Sequence, residues 1–524
     1  MDNFLVLALT SILCASFLIC IAFIKGASSK SLERASILEF STCFVRSSSS
    51  SSYRLPPGPR PYPVIGNILE LGSDPLLSIT NLSKSYGPIM LLKLGTRTAI
   101  VISSPEIARE AFHKHDLDFS SRTFPDSARA LDHHQVSVAW LPISPKWRAL
   151  RRAGVTKVFS TLKLDSTQFL RQNKVEDLIN HVREYSIKGE AIDLAEAFFN
   201  TVLNLVSNML FSMDFSCHGS DKTQEYKKLV IGIVDENGRA NVSDLFPFLS
   251  FLDPQGVRAR LRGYYKKLYK LFDDILEERL CLRSSNMESK DYNDVLDSFL
   301  NLIQDNSSQL SRGDIIHFFM DLFVAGTDTT SSTLEWAMAE LIRNPEKMIK
   351  ARIELQQVLG NKSDTLKLEE TTVSMLPYLQ AVLKETLRLH PPAPFLVPHK
   401  AICDVELSGF LVPKNAQLLA NVWAMGRDPG IWENPNSFVP ERFLESEIGF
   451  KGNDFKFIPF GAGRRICPGL PLASRVLAFM LASLIYHFDW EVPNGLKTED
   501  MDMSQTYGIT LHKAQPLRAV PVKM

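Results

Sequence analysis

No two cysteines in this chain stand at metal-binding or disulfide spacing. The seven present, at positions 14, 20, 43, 217, 281, 403 and 467, include no CxxC pair and leave an odd total, which argues against a disulfide framework and for a reducing compartment. A net charge is missing too. The 58 basic residues balance 58 acidic ones, so no whole-chain field draws the protein to nucleic acid. After Pro63 there is no linker-like stretch to divide the 524 residues, although the length alone would permit several domains.

What the chain does have is apolar content. Hydrophobic residues make up 45% of it, enough for a large core. Phe4 to Ile24 carries no charge, and as a helix it would extend roughly 31 Å, the thickness of a bilayer core. Asp2 precedes this run, and Lys25, Lys30 and Arg34 follow it. That asymmetry predicts a lumenal N-terminus and a cytosolic body, and a cleavable signal peptide would instead open on a basic region. Residues 1–25 therefore read as a transmembrane anchor. Residues 26–54 read as a linker ending in the Ser47–Ser52 tract, expected to be flexible. Residues 55–63, Leu-Pro-Pro-Gly-Pro-Arg-Pro-Tyr-Pro, read as a stiff hinge, and 64–524 as a single globular body.

The body is predicted to be mainly helical. Apolar periodicity runs through Val175–Val182, Leu261–Leu280, Asp314–Ile342 and Leu470–Tyr486. Met90–Leu94 and Ala99–Ile102 read as strands of a small sheet near its start. Phe246–Leu252 is an aromatic cluster compatible with either a core or a membrane-facing site.

Four motifs carry chemistry. The first is Phe460-Gly-Ala-Gly463-Arg-Arg465-Ile-Cys467-Pro-Gly469, a single cysteine framed by glycines and arginines. A thiolate that ligates a metal needs backbone N–H groups aimed at its sulfur, and glycines permit such turns because they lack Cβ. A buried structural cysteine would not require that setting. The second is Ala325-Gly326-Thr327-Asp328-Thr329-Thr330, inside a long apolar helix; a carboxylate there is costly unless something uses it. The third is Glu385-Thr-Leu-Arg388, on one helical face, with Pro440-Glu-Arg442-Phe443 following. The fourth is Trp147-Arg-Ala-Leu-Arg151, whose i, i+4 spacing sets an indole and a guanidinium on one side.

Together, in their order along the chain between Leu55 and Met524, the motifs resemble those of the cytochrome P-450 family, and the framework around Pro391–Phe395, Asn421–Pro429 and Ile466–Ala473 is similar to plant microsomal members of the geraniol 8-hydroxylase group. The resemblance implies the cytochrome P-450 fold, mainly α with a small β-sheet region. It implies haem b held by the Cys467 thiolate, with Phe460, Gly463 and Gly469 shaping the loop. Trp147, Arg151, His399 and Arg465 would meet the haem propionates, and Glu385, Arg388 and Arg442 would form a structural triad.

The family pattern further implies that Ala325-Gly326 opens a groove for O2 while Asp328 and Thr329 relay protons. The substrate pocket would be lined by Phe124, Leu131, Phe323, Phe395, Val397 and Ile509. Expected partners are O2, an apolar small molecule, the endoplasmic reticulum membrane and NADPH-cytochrome reductase, the last meeting a basic face at Arg148, Arg152, Lys157 and Arg464. Two other classes compete: an O2-independent haem-thiolate isomerase or dehydratase, and a non-enzymatic haem sensor. The former usually lacks the acid-alcohol pair, which is intact here as Asp328-Thr329; the latter would need neither groove nor reductase.

Overall fold

The protein is described from a computed structural model at residues 54–216, 221–284, 293–304, 310–359 and 368–524; the expected anchor and nearly all of the serine-rich linker lie outside them. Eight helices position the site: α1 (Pro145–Ala153), α2 (Gln168–Lys188), α3 (Leu194–Phe211), α4 (Asp221–Gly238), α5 (Val257–Ser284), α6 (Arg312–Arg343), α7 (Pro377–Leu389) and α8 (Leu470–His487). The four helical segments read from periodicity fall inside α2, α5, α6 and α8. Helices α3 and α8 are long and apolar enough to cross a membrane, but both are mostly buried in the main core, where all-round hydrophobicity is expected of a central helix.

Helix α6 is the axis of the fold, packing against α3, α5, α7 and α8. Its start is fixed chemically: the Ser311 hydroxyl accepts from the Asp314 N–H and the Asp314 carboxylate accepts from the Ser311 N–H, a reciprocal capping box. Asp314 also takes Lys146 Nζ at 2.8 Å, which ties the start of α1 to the start of α6. Helix α1 begins where the Ser144 hydroxyl accepts from the Trp147 N–H and proline occupies the first turn.

A mixed sheet forms the other structural unit. Its strands are β1 (Ile89–Leu94), β2 (Arg97–Ile102), β3 (Ser121–Arg122), β4 (His399–Lys400) and β5 (Gln417–Ala420), in the order β1-β2-β5-β4-β3. Ala99–Ile102, buried without interruption, is paired on both sides, antiparallel to β1 and parallel to β5; a continuous apolar run suits a strand covered on both faces. The proline-rich segment runs along this sheet. Leu91 N–H donates to the Pro57 carbonyl at 2.8 Å, and a Cβ on Gly58 would lie 2.0 Å from the Leu91 carbonyl oxygen, so the expected hinge is docked on β1. Farther on, β6 (Leu511–Lys513) lies against α6.

The Phe246–Leu252 cluster divides. Phe246 is buried, whereas Phe248, Phe251 and Leu252 are exposed. The segment sits on the β1–β2 turn, where Thr96 N–H donates to the Leu245 carbonyl at 2.9 Å.

Candidate haem-thiolate site

The cysteine loop is a closed turn. Cys467 N–H donates to the Phe460 carbonyl at 2.9 Å and Ile466 N–H to the Gly463 carbonyl at 3.1 Å. Gly463 has φ +63, and a Cβ there would lie 2.5 Å from Asp116 Oδ1 and 2.6 Å from the Phe112 carbonyl oxygen, so both the conformation and the space require glycine. Asp116 locks the turn from outside by accepting Arg464 N–H at 3.0 Å and pairing with Arg464 Nε at 3.1 Å. The Cys467 thiol is pushed up by burial, while N–H groups of Gly469 and Leu470 and the charge of Arg151 favour the thiolate. A Cβ on Gly469 would stand 3.7 Å from the sulfur. Phe460 is half-buried against Phe450, with ring centroids 5.5 Å apart.

Beside this loop lies a cluster of three guanidiniums and an imidazole, with Arg465 and His399 buried and Arg122 and Arg151 half-buried. Arg465 is almost fully buried; its Nε donates to the Ser120 carbonyl at 2.7 Å and its guanidinium stacks 4.6 Å over the Trp147 ring. Arg151 donates to the Ile466 carbonyl at 2.5 Å. His399 donates from Nδ1 to the Phe119 carbonyl at 2.7 Å, which leaves Nε2 for another partner. Arg122 joins them from β3, where it lies directly opposite His399 of β4; it donates to the Val397 carbonyl, and its Nε is buried without a hydrogen-bond partner among the described residues.

Burial and the repulsion of neighbouring guanidiniums hold Arg122 down at about 9 and Arg465 at about 10. Burial first, then Arg122, also holds His399 well below its ordinary value. No carboxylate among the described residues makes an ion pair with Arg122, Arg151 or Arg465. Buried cations are normally paired, and here the guanidiniums of Arg122, Arg151 and Arg465 repel one another with no carboxylate between them. The cluster has the chemistry of an anion site, and the two carboxylates of a haem fit it beside a cysteine sulfur.

The Trp147 indole N–H donates to the Val138 carbonyl at 3.0 Å, and its ring is the platform under the Arg465 guanidinium. Sequence reading missed Asp321. This carboxylate accepts from Val138 N–H at 2.8 Å, Ser137 Oγ at 2.9 Å and His133 Nε2 at 3.0 Å, which fixes the loop that carries the Val138 carbonyl.

Glu385 is fully buried. It accepts Arg388 Nε at 2.6 Å, Arg442 Nε at 3.0 Å and Val439 N–H at 2.8 Å. Arg388 in turn donates to the Pro435 and Ser437 carbonyls at 2.7 and 3.1 Å, so the triad clamps α7 to the segment leading towards the cysteine loop.

In α6, hydroxyls of Thr327, Thr329, Ser331 and Thr333 donate back to carbonyls four residues earlier, at 2.7–2.9 Å; such bonds compete with helix hydrogen bonding. Ala325 and Thr329 share the open side of an otherwise largely buried helix. Asp328 and Thr329 are not joined. Adjacent residues on a helix point apart, and Asp328 Oδ1 turns instead to His512 Nε2 at 3.4 Å.

The expected pocket residues are not alike. Phe323 is fully buried between Phe215 and Phe272, with centroids 5.6 and 5.4 Å away, and Phe395 is buried in the sheet-side core against Tyr507 at 5.7 Å. Both side chains are packed within the core. Phe124 lies half-buried beside the His134 ring at 4.8 Å, Leu131 adopts φ +51, and Val397 and Ile509 are half-buried. None of the six lines the cleft of about 510 Å³ beside Phe460 and Leu470.

Comparison with known proteins decides the family. The cytochrome P-450 family model matches residues 56–517. The chain is a cytochrome P-450. It is 52% identical over 473 residues to cytochrome P-450 monooxygenase 76AD131 of Lophophora williamsii, covering 90% of this chain and 94% of that one. It is 49% identical over 467 residues to geraniol 8-hydroxylase of Catharanthus roseus, covering 89% and 94%. Among solved structures, a zebra fish cytochrome P-450 with progesterone superposes with a TM-score of 0.72 at 26% identity, covering 86% of this chain and 99% of that one. These place this cytochrome P-450 with the plant 76 group as a monooxygenase that uses cysteine-ligated haem.

Proposed function

We propose that this cytochrome P-450 hydroxylates an acyclic monoterpenol such as geraniol at an allylic methyl group. It would use O2 and electrons from NADPH-cytochrome reductase, with its body held at the cytosolic face of the endoplasmic reticulum by residues 1–25. The observation that carries the reading is the 49% identity to geraniol 8-hydroxylases across nearly the whole body. The exposed Phe248, Phe251 and Leu252 suit a surface beside a bilayer, and exposed Arg148, Arg152 and Lys157 suit an acidic flavoprotein partner.

Haem, when bound, supplies the O2 activation and the C–H oxidation. The chain's own residues do the rest. Cys467 would hold the iron, and Arg122, Arg151, Arg465 and His399 would hold the propionates, with Trp147 and Asp321 keeping that cluster in place. Thr329 presents its hydroxyl on the open side of α6, and Asp328, on the adjoining face, would be the acid through which protons reach the site. One oxygen atom of O2 enters the substrate and the other leaves as water, a balance that consumes two protons and two electrons per turnover.

Incubation with reductase, NADPH and a panel of monoterpenols, diterpenes, alkaloids and phenolics tests the substrate. Hydroxylated geraniol or nerol is expected; a diterpene, alkaloid or phenolic product with no turnover of either monoterpenol would contradict it. The relay has its own test. Asp328→Asn is expected to leave the reduced carbon monoxide spectrum intact while product per NADPH falls on the order of a hundredfold. Thr329→Ala should be milder because water can take the place of a hydroxyl. Normal coupling in both variants would mean that protons arrive by another path.

A further inference from the structure

A histidine outside every motif stands behind the relay acid. His512 lies on β6, and β6 is tied to α6 on the same turns that carry Asp328: Ser332 Oγ donates to the Leu511 carbonyl at 2.8 Å and Trp336 Nε1 to the same oxygen at 3.4 Å. These bonds place His512 Nε2 3.4 Å from Asp328 Oδ1. The second oxygen, Asp328 Oδ2, is buried and has no hydrogen-bond partner among the described residues. The imidazole is about a third exposed, with 36% of its side-chain surface accessible, whereas the Asp328 side chain retains 7%. His512 thus spans the distance between solvent and a carboxylate that water barely reaches.

We propose that His512 is the proton donor that recharges Asp328. This rests on the reading of Asp328 as the relay acid. A proton passes from His512 Nε2 to an Asp328 carboxylate oxygen, and the neutral imidazole then takes a proton from water at its exposed edge. No electron moves in either transfer. The groups facing the imidazole favour its cationic form: Asp328 and Glu335 from α6, and Asp235 from α4. Lys513, on the same strand, and Arg239, which faces Asp235, are the cations nearby. Burial lowers the His512 pKa, but the three carboxylates outweigh it and leave it above the ordinary 6.5. The donor is therefore charged below that elevated value, and it is lost as pH rises through it.

The test uses the full-length holoenzyme with reductase and geraniol, counting peroxide released per NADPH between pH 6 and 9, a readout that needs no turnover of geraniol. In the unmodified enzyme the peroxide share should rise with pH. His512→Gln should raise it severalfold at low pH and flatten the profile, with the reduced carbon monoxide spectrum unchanged. Asp235→Asn, which leaves His512 in place, should move the midpoint to lower pH. Independently of activity, diethylpyrocarbonate labelling read by mass spectrometry should give His512 a midpoint above 6.5 that falls in Asp328→Asn. If Asp328→Asn raises the peroxide share and His512→Gln does not, the role of His512 is overturned. If Asp328→Asn leaves it unchanged, the relay reading itself fails.

Discussion

Cys467→Ala should give a folded protein with no thiolate-type reduced carbon monoxide spectrum and no NADPH-dependent product. The loop does not depend on the sulfur to fold: its closing bonds are Cys467 N–H to Phe460 and Ile466 N–H to Gly463, and the Asp116–Arg464 contacts hold it from outside. Alanine keeps all of these. What it removes is the thiolate whose electron density favours O–O cleavage, so loss of activity should be complete, whereas the thermal unfolding temperature of the haem-free protein should change little. The outcome to the contrary is a variant that keeps the thiolate-type spectrum, which would place the ligand elsewhere.

The largest effect on stability is expected at Glu385. This carboxylate is fully buried and answers two guanidiniums and a backbone N–H at once. Glu385→Gln preserves the shape but leaves Arg388, itself fully buried, without a counter-charge, a loss of about 3–5 kcal/mol when one partner of a buried pair is removed. The matching surface test is Asp273→Asn, which breaks a pair with Arg312 at 2.6 Å in which both side chains are more than a third exposed; it should cost less than about 1 kcal/mol. Denaturant midpoints of the two variants compare them directly. Equal midpoints would show that the triad is not a clamp.

The contrast between these two pairs marks what the sequence reveals. An E-x-x-R spacing occurs on either kind of surface, and only the arrival of Arg442 and Val439 from the later segment makes the Glu385 pair a buried one. Helices α2, α5, α6 and α8 are legible because each carries several turns of apolar periodicity. Strands β3 and β4 are two residues each, too short to show any period, and it is their register that brings Arg122 opposite His399. The anion cluster was accordingly read without one of its members.

Asp321 and His512 escaped for the same reason. Asp321 meets partners 183–188 positions away, and no local pattern encodes that distance. Phe323 and Phe395 show a different ambiguity: an apolar aromatic suits a pocket wall and a core equally well, and the rings packed against them come from α5 and from the C-terminal segment. Contiguous motifs carry chemistry that a reader can find, whereas the residues that hold those motifs in place are dispersed.

The monooxygenase assignment is tested most directly by isotope. Turnover under ¹⁸O2 with reductase and NADPH should give product that carries one ¹⁸O atom per hydroxylation, with one NADPH consumed for each. A product that forms without O2 or NADPH, or that draws its oxygen from water, would contradict it.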